Sequence, residues 1–157
     1  MSIIENRLRS LGLELPEAPK PVATYVPAVT VGTLVFVSGT GCSVPGKGLL
    51  YEGKVGKDVT VEQASEAARQ EALNMLAILK QHLGSLDRIK RIVKLLGFVN
   101  GTDDFADQPK VVNGASDLLI QVFGDKGQHA RSAIGTNSLP LRMPVEIEMI
   151  VEIEPES

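Results

Sequence analysis

From Val145 to Glu154 the chain alternates between two kinds of residue. Val145, Ile147, Met149, Val151 and Ile153 hold one parity, and Glu146, Glu148, Ile150, Glu152 and Glu154 hold the other. Successive side chains of an extended backbone point to opposite faces, so this period of two predicts a β-strand and not an amphipathic helix. One face of that strand belongs in a core. The other carries a row of carboxylates, which repel one another unless water or cations separate them. The chain must therefore build a sheet and find cover for one side of it.

Two helical patterns can supply that cover. Thr60 and Gln63 have capping-box spacing, and Val61, Ala64, Ala68, Ala72, Met75, Leu76, Leu79 and Leu83 recur at helical intervals up to Gly84. The alanines at 64, 67, 68 and 72 carry little bulk, so this helix can lie close to a sheet. Val111, Ala115, Leu118, Leu119, Val122 and Phe123 predict a second helix, with Pro109 near its start and Gly124 closing it. Ile3, Ile4, Leu8 and Leu11 before Gly12 predict a short N-terminal helix.

The remaining strands are read from composition and punctuation. Pro16, Pro19, Pro21 and Pro27 break helix, which leaves Val22 to Thr30 as an extended segment near a sheet edge. Val31-Gly32-Thr33 turns into Leu34-Val35-Phe36-Val37, a continuous apolar run that predicts a strand buried on both faces. Ile89 to Val99 predicts a strand ending at the turn pair Asn100-Gly101, and Arg131 to Asn137 predicts another. Six glycines from Gly39 to Gly56 punctuate a long loop, in which only Leu49-Leu50-Tyr51 suits a short strand.

The order strand, strand, helix, strand, helix, strand, strand predicts an α+β fold, a mixed sheet with two helices packed on one face. With 157 residues the chain has material for a single domain spanning 1–157. Nothing remains to cover the second face of the sheet, which predicts self-association.

Bulk properties exclude several classes. A formal charge of -3 lacks the basic surplus of a phosphate-backbone binder, and 4% aromatic content without Trp leaves few rings for base stacking, so no nucleic-acid partner is expected. The lone Cys42 has no disulfide partner, and neither the cysteine nor the two histidines show metal-ligand spacing, so no metal is expected. Met1 to Leu15 interrupts its apolar residues with Glu5, Arg7, Arg9 and Glu14, unlike a signal peptide, and no window approaches the roughly 18 apolar residues of a membrane span. A cytoplasmic protein is expected.

Two residues stand out as candidate chemistry. Arg131 is flanked by the small Ala130, Ser132 and Ala133, leaving room for a ligand carboxylate to be held bidentately by its guanidinium. By residue type it also fits a surface ion pair. Glu146 follows Leu139-Pro140 and can orient or deprotonate a water if burial or a neighbouring charge raises its pKa; it also fits a solvated glutamate in a row. Ser38-Gly39-Thr40-Gly41 lacks a phosphate-loop lysine and the dinucleotide glycine spacing, but can present bare amides to a carboxylate, or be an ordinary turn. Cys42 has no nearby histidine to activate it. His129, two residues before Arg131, shares its face on a strand. Tyr25 either donates a hydroxyl into a pocket or packs.

Thr24-Tyr25-Val26-Pro27-Ala28-Val29, Leu34 to Gly39, the alanine-rich helix with Asn74, Asp104-Phe105, Ala130-Arg131-Ser132, Leu139-Pro140 and Val145-Glu146-Ile147-Glu148 occur in an order that resembles the RidA/YjgF family. The resemblance covers about residues 20–154, with residues 1–20 as an N-terminal extension. It implies a chorismate-mutase-like fold assembled as a homotrimer, with pockets between subunits. It also implies hydrolysis of reactive enamines or imines of small carboxylated metabolites, such as 2-aminoacrylate, to the 2-keto acid and ammonia, without metal or organic cofactor. Arg131 then anchors the substrate carboxylate and Glu146 positions or activates water. Tyr25 lines the pocket, backbone at Ser38, Gly39 and Thr40 contributes contacts, and Ser132 and Ala133 flank the anchor. The chain departs from the pattern in residues 41–58, in the length between Phe105 and Arg131, and in Ala133, where deaminases often have cysteine. It departs also at the helix asparagine: Asn113 is out of register, and Ser116 or Asp117 lies nearer. A non-catalytic trimer binding keto or amino acids, and an endoribonuclease, are the alternative readings.

Overall fold

The alternating C-terminal segment is a strand, β7 (Val145–Ile153), and it lies at the centre of a five-stranded sheet. It pairs antiparallel with β2 (Leu34–Thr40) on one side and β5 (Ile89–Asn100) on the other. β1 (Ala28–Val31) extends the sheet beyond β2, and β6 (Ala130–Thr136) closes the opposite edge, parallel to β5. The computed structural model from which these elements are read describes residues 2–155. A small second sheet pairs β3 (Ser43–Val44) with β4 (Gly48–Leu49), slightly ahead of the short strand expected at 49–51.

Two long helices cover one face, α2 (Val61–Leu83) between the small sheet and β5, and α3 (Gln108–Phe123) in the crossover from β5 to β6. The capping box of α2 is formed in both directions: Gln63 N donates to Thr60 Oγ1 at 3.1 Å, and Thr60 N donates to Gln63 Oε1 at 3.0 Å. Gly84 ends the helix at φ +84, a left-handed backbone that glycine adopts without a Cβ penalty. The helices meet where a Cβ on Gly114 would overlap the Ser65 carbonyl, so α3 can approach α2 only with glycine there. Met75, Leu79, Leu95, Leu118, Leu119, Ile147 and Met149 are removed from water between helices and sheet. Burial of each side chain of this size stabilises by about 1.5 to 3 kcal/mol.

A third helix, α1 (Ile3–Ser10), adds to the two expected on the covered face. It buries Leu8 and starts on Asp87, whose carboxylate accepts from the Ile3 and Ile4 amides and from Ser2 Oγ. No helix among the described residues is long and apolar enough to cross a membrane.

Two expectations need correction. The run Leu34 to Val37 is not buried on both faces: Val35 and Val37 are buried, but Phe36 is 41% exposed. Its apolar outer face looks away from the helices, together with the exposed Val29, Val31 and Ile134. Asn100 does not begin a turn. It is the last residue of β5 and is buried, donating to Met143 O at 3.2 Å and accepting from Lys54 Nζ at 2.8 Å.

Candidate functional site

Between Val37, opposite Met149, and Thr40, opposite Ile147, β2 advances three residues while β7 advances two. The extra residue makes a β-bulge at Ser38-Gly39, which bends the strand and re-aims its end. Ser38 ties down the segment ahead of β1: its hydroxyl donates to Val26 O at 2.7 Å and its amide to Pro27 O at 2.9 Å. That hydroxyl therefore holds the Tyr25 segment in place and is already committed. Gly39 is a glycine because a Cβ there would stand 2.9 Å from Glu146 Oε2. Likewise a Cβ on Gly41 would overlap Met143 Sδ.

Met143 ends a loop in which Leu141 and Arg142 take left-handed φ values of 58 and 59, a conformation that costs a non-glycine residue about 1 kcal/mol or more. Neighbours hold it there. Gly53 N donates to Arg142 O at 2.7 Å, and Arg142 Nη2 donates to Asp58 Oδ2 at 3.3 Å. The outcome is that Leu141, an exposed side chain, stands at the lip of a cleft.

The cleft has a volume of about 860 Å³. It lies between the Pro19 to Pro27 segment, the bulged end of β2 and the Pro140 to Met143 loop. Tyr25, Ser38, Gly39, Thr40 and Glu146 all line it, with Val22, Leu49, Ile78 and Met143 as apolar wall. Five of the candidates read from sequence are thus brought together. Neither carboxylate oxygen of Glu146 has a hydrogen-bond partner among the described residues. Half-burial, and then the neighbouring Glu148, hold its carboxyl above the usual carboxylate range. A carboxylate raised in this way is a better proton acceptor at neutral pH than an exposed one. A smaller cavity of about 410 Å³, beside His82 and Arg88, contains none of the candidates.

Arg131 is elsewhere. It is level with Leu95 of β5, which is level with Met149 of β7, whereas Glu146 is level with Phe98 and Ile134. Three residues along the strands and two strands across put the two Cα atoms about 14 Å apart. The odd offset between Met149 and Glu146 also puts their side chains on opposite faces. A single chain does not assemble Arg131 and Glu146 into one pocket. Arg131 lies on the helix-covered face and meets α3; Ser132 faces the other way, and Ala133 packs partly buried against the core.

Asn113 and Ser116, the helix positions weighed against the family's asparagine, both reach Arg131. Asn113 Oδ1 accepts from Arg131 Nη1 at 2.8 Å, while Asp117 is exposed. Ser116 Oγ accepts from the same nitrogen at 3.1 Å, and Pro109 O lies 3.5 Å from Nη2. Of the five N–H donors of a guanidinium, these contacts use both on Nη1 and one on Nη2. Nε–H and one Nη2–H have no partner among the described residues, and Nε with Nη2 is an edge of the guanidinium that can hold a carboxylate bidentately.

Sequence reasoning missed Glu71. It is 0% exposed, and neither oxygen has a hydrogen-bond partner among the described residues. Burial, with Cys42 and Glu146 nearby, pushes its carboxyl well above the usual range, which favours the neutral form. The signal was present: Glu71 lies between Ala68 and Ala72 on the apolar stripe of α2. One turn further on, Asn74 Nδ2 donates to Gly41 O at 3.0 Å and Ser43 O at 2.9 Å, straddling Cys42. The Cys42 thiol is buried and points to Tyr51 O. No three His, Cys, Asp or Glu side chains among the described residues come together to hold a metal ion.

Residues 5–153 match a family profile described as "YjgF/chorismate mutase-like, putative endoribonuclease". Among solved structures, a protein of unknown function from Agrobacterium tumefaciens superposes with a TM-score of 0.89 at 46% identity, covering 96% of this chain and 92% of that one. Protein TCP17 of Trypanosoma cruzi is 42% identical over 96% of this chain and 94% of its own length. The 2-iminobutanoate/2-iminopropanoate deaminase of Dermatophagoides farinae is 30% identical over 90% of this chain and 95% of its own.

Proposed function

The chain belongs to the YjgF/chorismate mutase-like family, and from that premise we propose that it hydrolyses reactive imines and enamines of small carboxylated metabolites to 2-keto acids and ammonia. The observation that carries the reading is Glu146, its carboxylate half-buried and without a hydrogen-bond partner among the described residues, held against the bare backbone of Gly39 at the end of an apolar cleft. The imine carbon is already electrophilic, so the protein has only to hold the carboxylate, place a water and move protons. Glu146 accepts a proton as the water oxygen bonds to the imine carbon. It returns that proton to nitrogen, whose electron pair came from the C=N bond, then takes the hydroxyl proton and passes it to the amine, so that the C–N bond breaks with ammonia leaving as the keto C=O forms. Arg131 supplies the bidentate anchor.

Anchor and base come from different protomers in this reading. The uncovered sheet face, with Val29, Val31, Phe36 and Ile134 exposed, is covered by further copies of the chain in a cytoplasmic homotrimer, which brings Arg131 of one copy to the Glu146 cleft of the next. Sedimentation is expected to give three times the mass of one chain, and Phe36→Glu to return it to one, because the substitution buries a charge without a partner. A wild-type protein sedimenting as a monomer would remove the shared site.

The activity is tested by a coupled assay with enzymatically generated 2-iminopropanoate, wild type against Arg131→Ala. Losing a charge-assisted bidentate contact is expected to lower kcat/KM by at least about tenfold. Equal rates in both proteins would end the claim for Arg131, and imine decay no faster than in buffer would leave a binding protein. RNA cleavage draws less support: His82 bonds Thr30 Oγ1, His129 bonds Gly127 O and Ser116, and neither lines the Glu146 cleft.

A further inference from the structure

The bonds that aim Arg131 have a direction that chemistry assigns. The Gly127 carbonyl lies 2.6 Å from His129 Nδ1. A carbonyl only accepts, so Nδ1 carries the proton, and in the neutral ring Nε2 is then an acceptor. Nε2 is 2.9 Å from Ser116 Oγ, so the Ser116 hydroxyl donates to it. With its one proton committed, Ser116 Oγ offers only lone pairs, and Arg131 Nη1 donates to one at 3.1 Å. Each group from Arg131 to Gly127 therefore takes the one role its neighbour leaves open.

The far end of this chain of bonds is rigid. Gly127 is buried, and a Cβ there would overlap the carbonyl of Leu119 in α3, so the accepting carbonyl is locked by packing. Ser116 is itself buried at 7% exposure. Among the described residues the guanidinium's other contacts are Asn113, on the exposed side of the helix, and the Pro109 carbonyl at 3.5 Å from Nη2.

We propose that Ser116 and His129 are positioning residues, a relay that fixes the plane of the Arg131 guanidinium so that its free Nε and Nη2 donors meet the substrate carboxylate. The inference rests on Arg131 being the carboxylate anchor. Neither Ser116 nor His129 touches substrate. Removing either leaves the guanidinium held by Asn113 and the Pro109 carbonyl without the Ser116 bond, which loosens its plane and weakens binding of substrate and transition state alike, so the effect falls on KM and not on kcat.

Steady-state kinetics of the 157-residue chain on enzymatically generated 2-iminopropanoate test this. Ser116→Ala and His129→Ala are each expected to raise KM roughly tenfold, the worth of a hydrogen bond to a charged group, with kcat within about twofold of wild type. Ser116→Thr, which restores the hydroxyl, is expected to restore KM, a rescue that loss of packing would not give. The double variant Ser116→Ala/His129→Ala is expected to be no worse than the poorer single, since both break one chain. Ser116→Ala removes a single atom, and its melting curve reports whether the fold is kept. Unchanged KM in Ser116→Ala, with KM raised in Arg131→Ala, overturns the relay and leaves the anchor standing. Unchanged KM in Arg131→Ala overturns both. Additive effects in the double variant, or a fall in kcat alone, also overturn the relay.

Discussion

Glu146→Gln is expected to slow imine hydrolysis by about 100- to 10,000-fold, the range in which a positioned general base contributes, while the protein keeps its fold. Glutamine is isosteric and still fits beside the bare Gly39 backbone, where the carboxylate stands now. It cannot accept the water proton. The fold should not suffer, because the Glu146 carboxylate makes no hydrogen bond among the described residues and its repulsion by Glu148 is relieved. The wild-type rate should climb with pH through an inflection above the ordinary glutamate range, since only the ionised carboxylate is a base and burial followed by Glu148 raises its pKa. In Glu146→Gln that limb should vanish. A variant within tenfold of wild type, or one that keeps the acid limb, would sink the role of Glu146 as base.

Glu71→Met is expected to raise stability by about 1 to 3 kcal/mol at neutral pH, the usual cost of a buried polar group without a partner. For a chain of this length that corresponds to a Tm higher by roughly 2 to 4 °C per kcal/mol. Methionine has similar reach and suits the site between Ala68, Ala72 and Met75 on the apolar stripe of α2. The sign with pH follows from the direction of the shift. Glu71 has a higher pKa folded than unfolded, so the folded state binds more protons and its stability is complete below the unfolded value near about 4.3. It is lost as pH rises from there through the folded pKa, at up to about 1.4 kcal/mol per pH unit. The Tm advantage of Glu71→Met should therefore widen between pH 5 and pH 8, and a constant difference across that range would refute the account.

Most of the fold was legible because local signals agreed with tertiary demand. The period of two at Val145 to Ile153, the capping box at Thr60 and the glycine stops at Gly84 and Gly124 all fall where the elements begin and end. Leu34 to Val37 misled for a physical reason. A continuous apolar run reads as burial on both faces, yet within one chain α2 covers only Val35 and Val37. The exposed Phe36 carries the same sequence signal that a buried residue would. That Asn113 and Ser116 both meet Arg131 was not legible, because helical register counted from neighbouring residues cannot say how α3 rotates over β6. Glu71 went unread because glutamate is common on exposed helix faces.

What the sequence determined by itself was which residues carry chemistry and on which elements they lie, Arg131 on a strand after the second helix and Glu146 on the last strand, because periodicity and residue type are local properties. What only the tertiary structure decided was their relation. β5 inserts between β6 and β7, and the register across it puts the two side chains on opposite faces. The bulge at Ser38-Gly39 builds the Glu146 cleft without Arg131. Strand order and sheet face come from pairings between segments distant in sequence, and no local pattern encodes them.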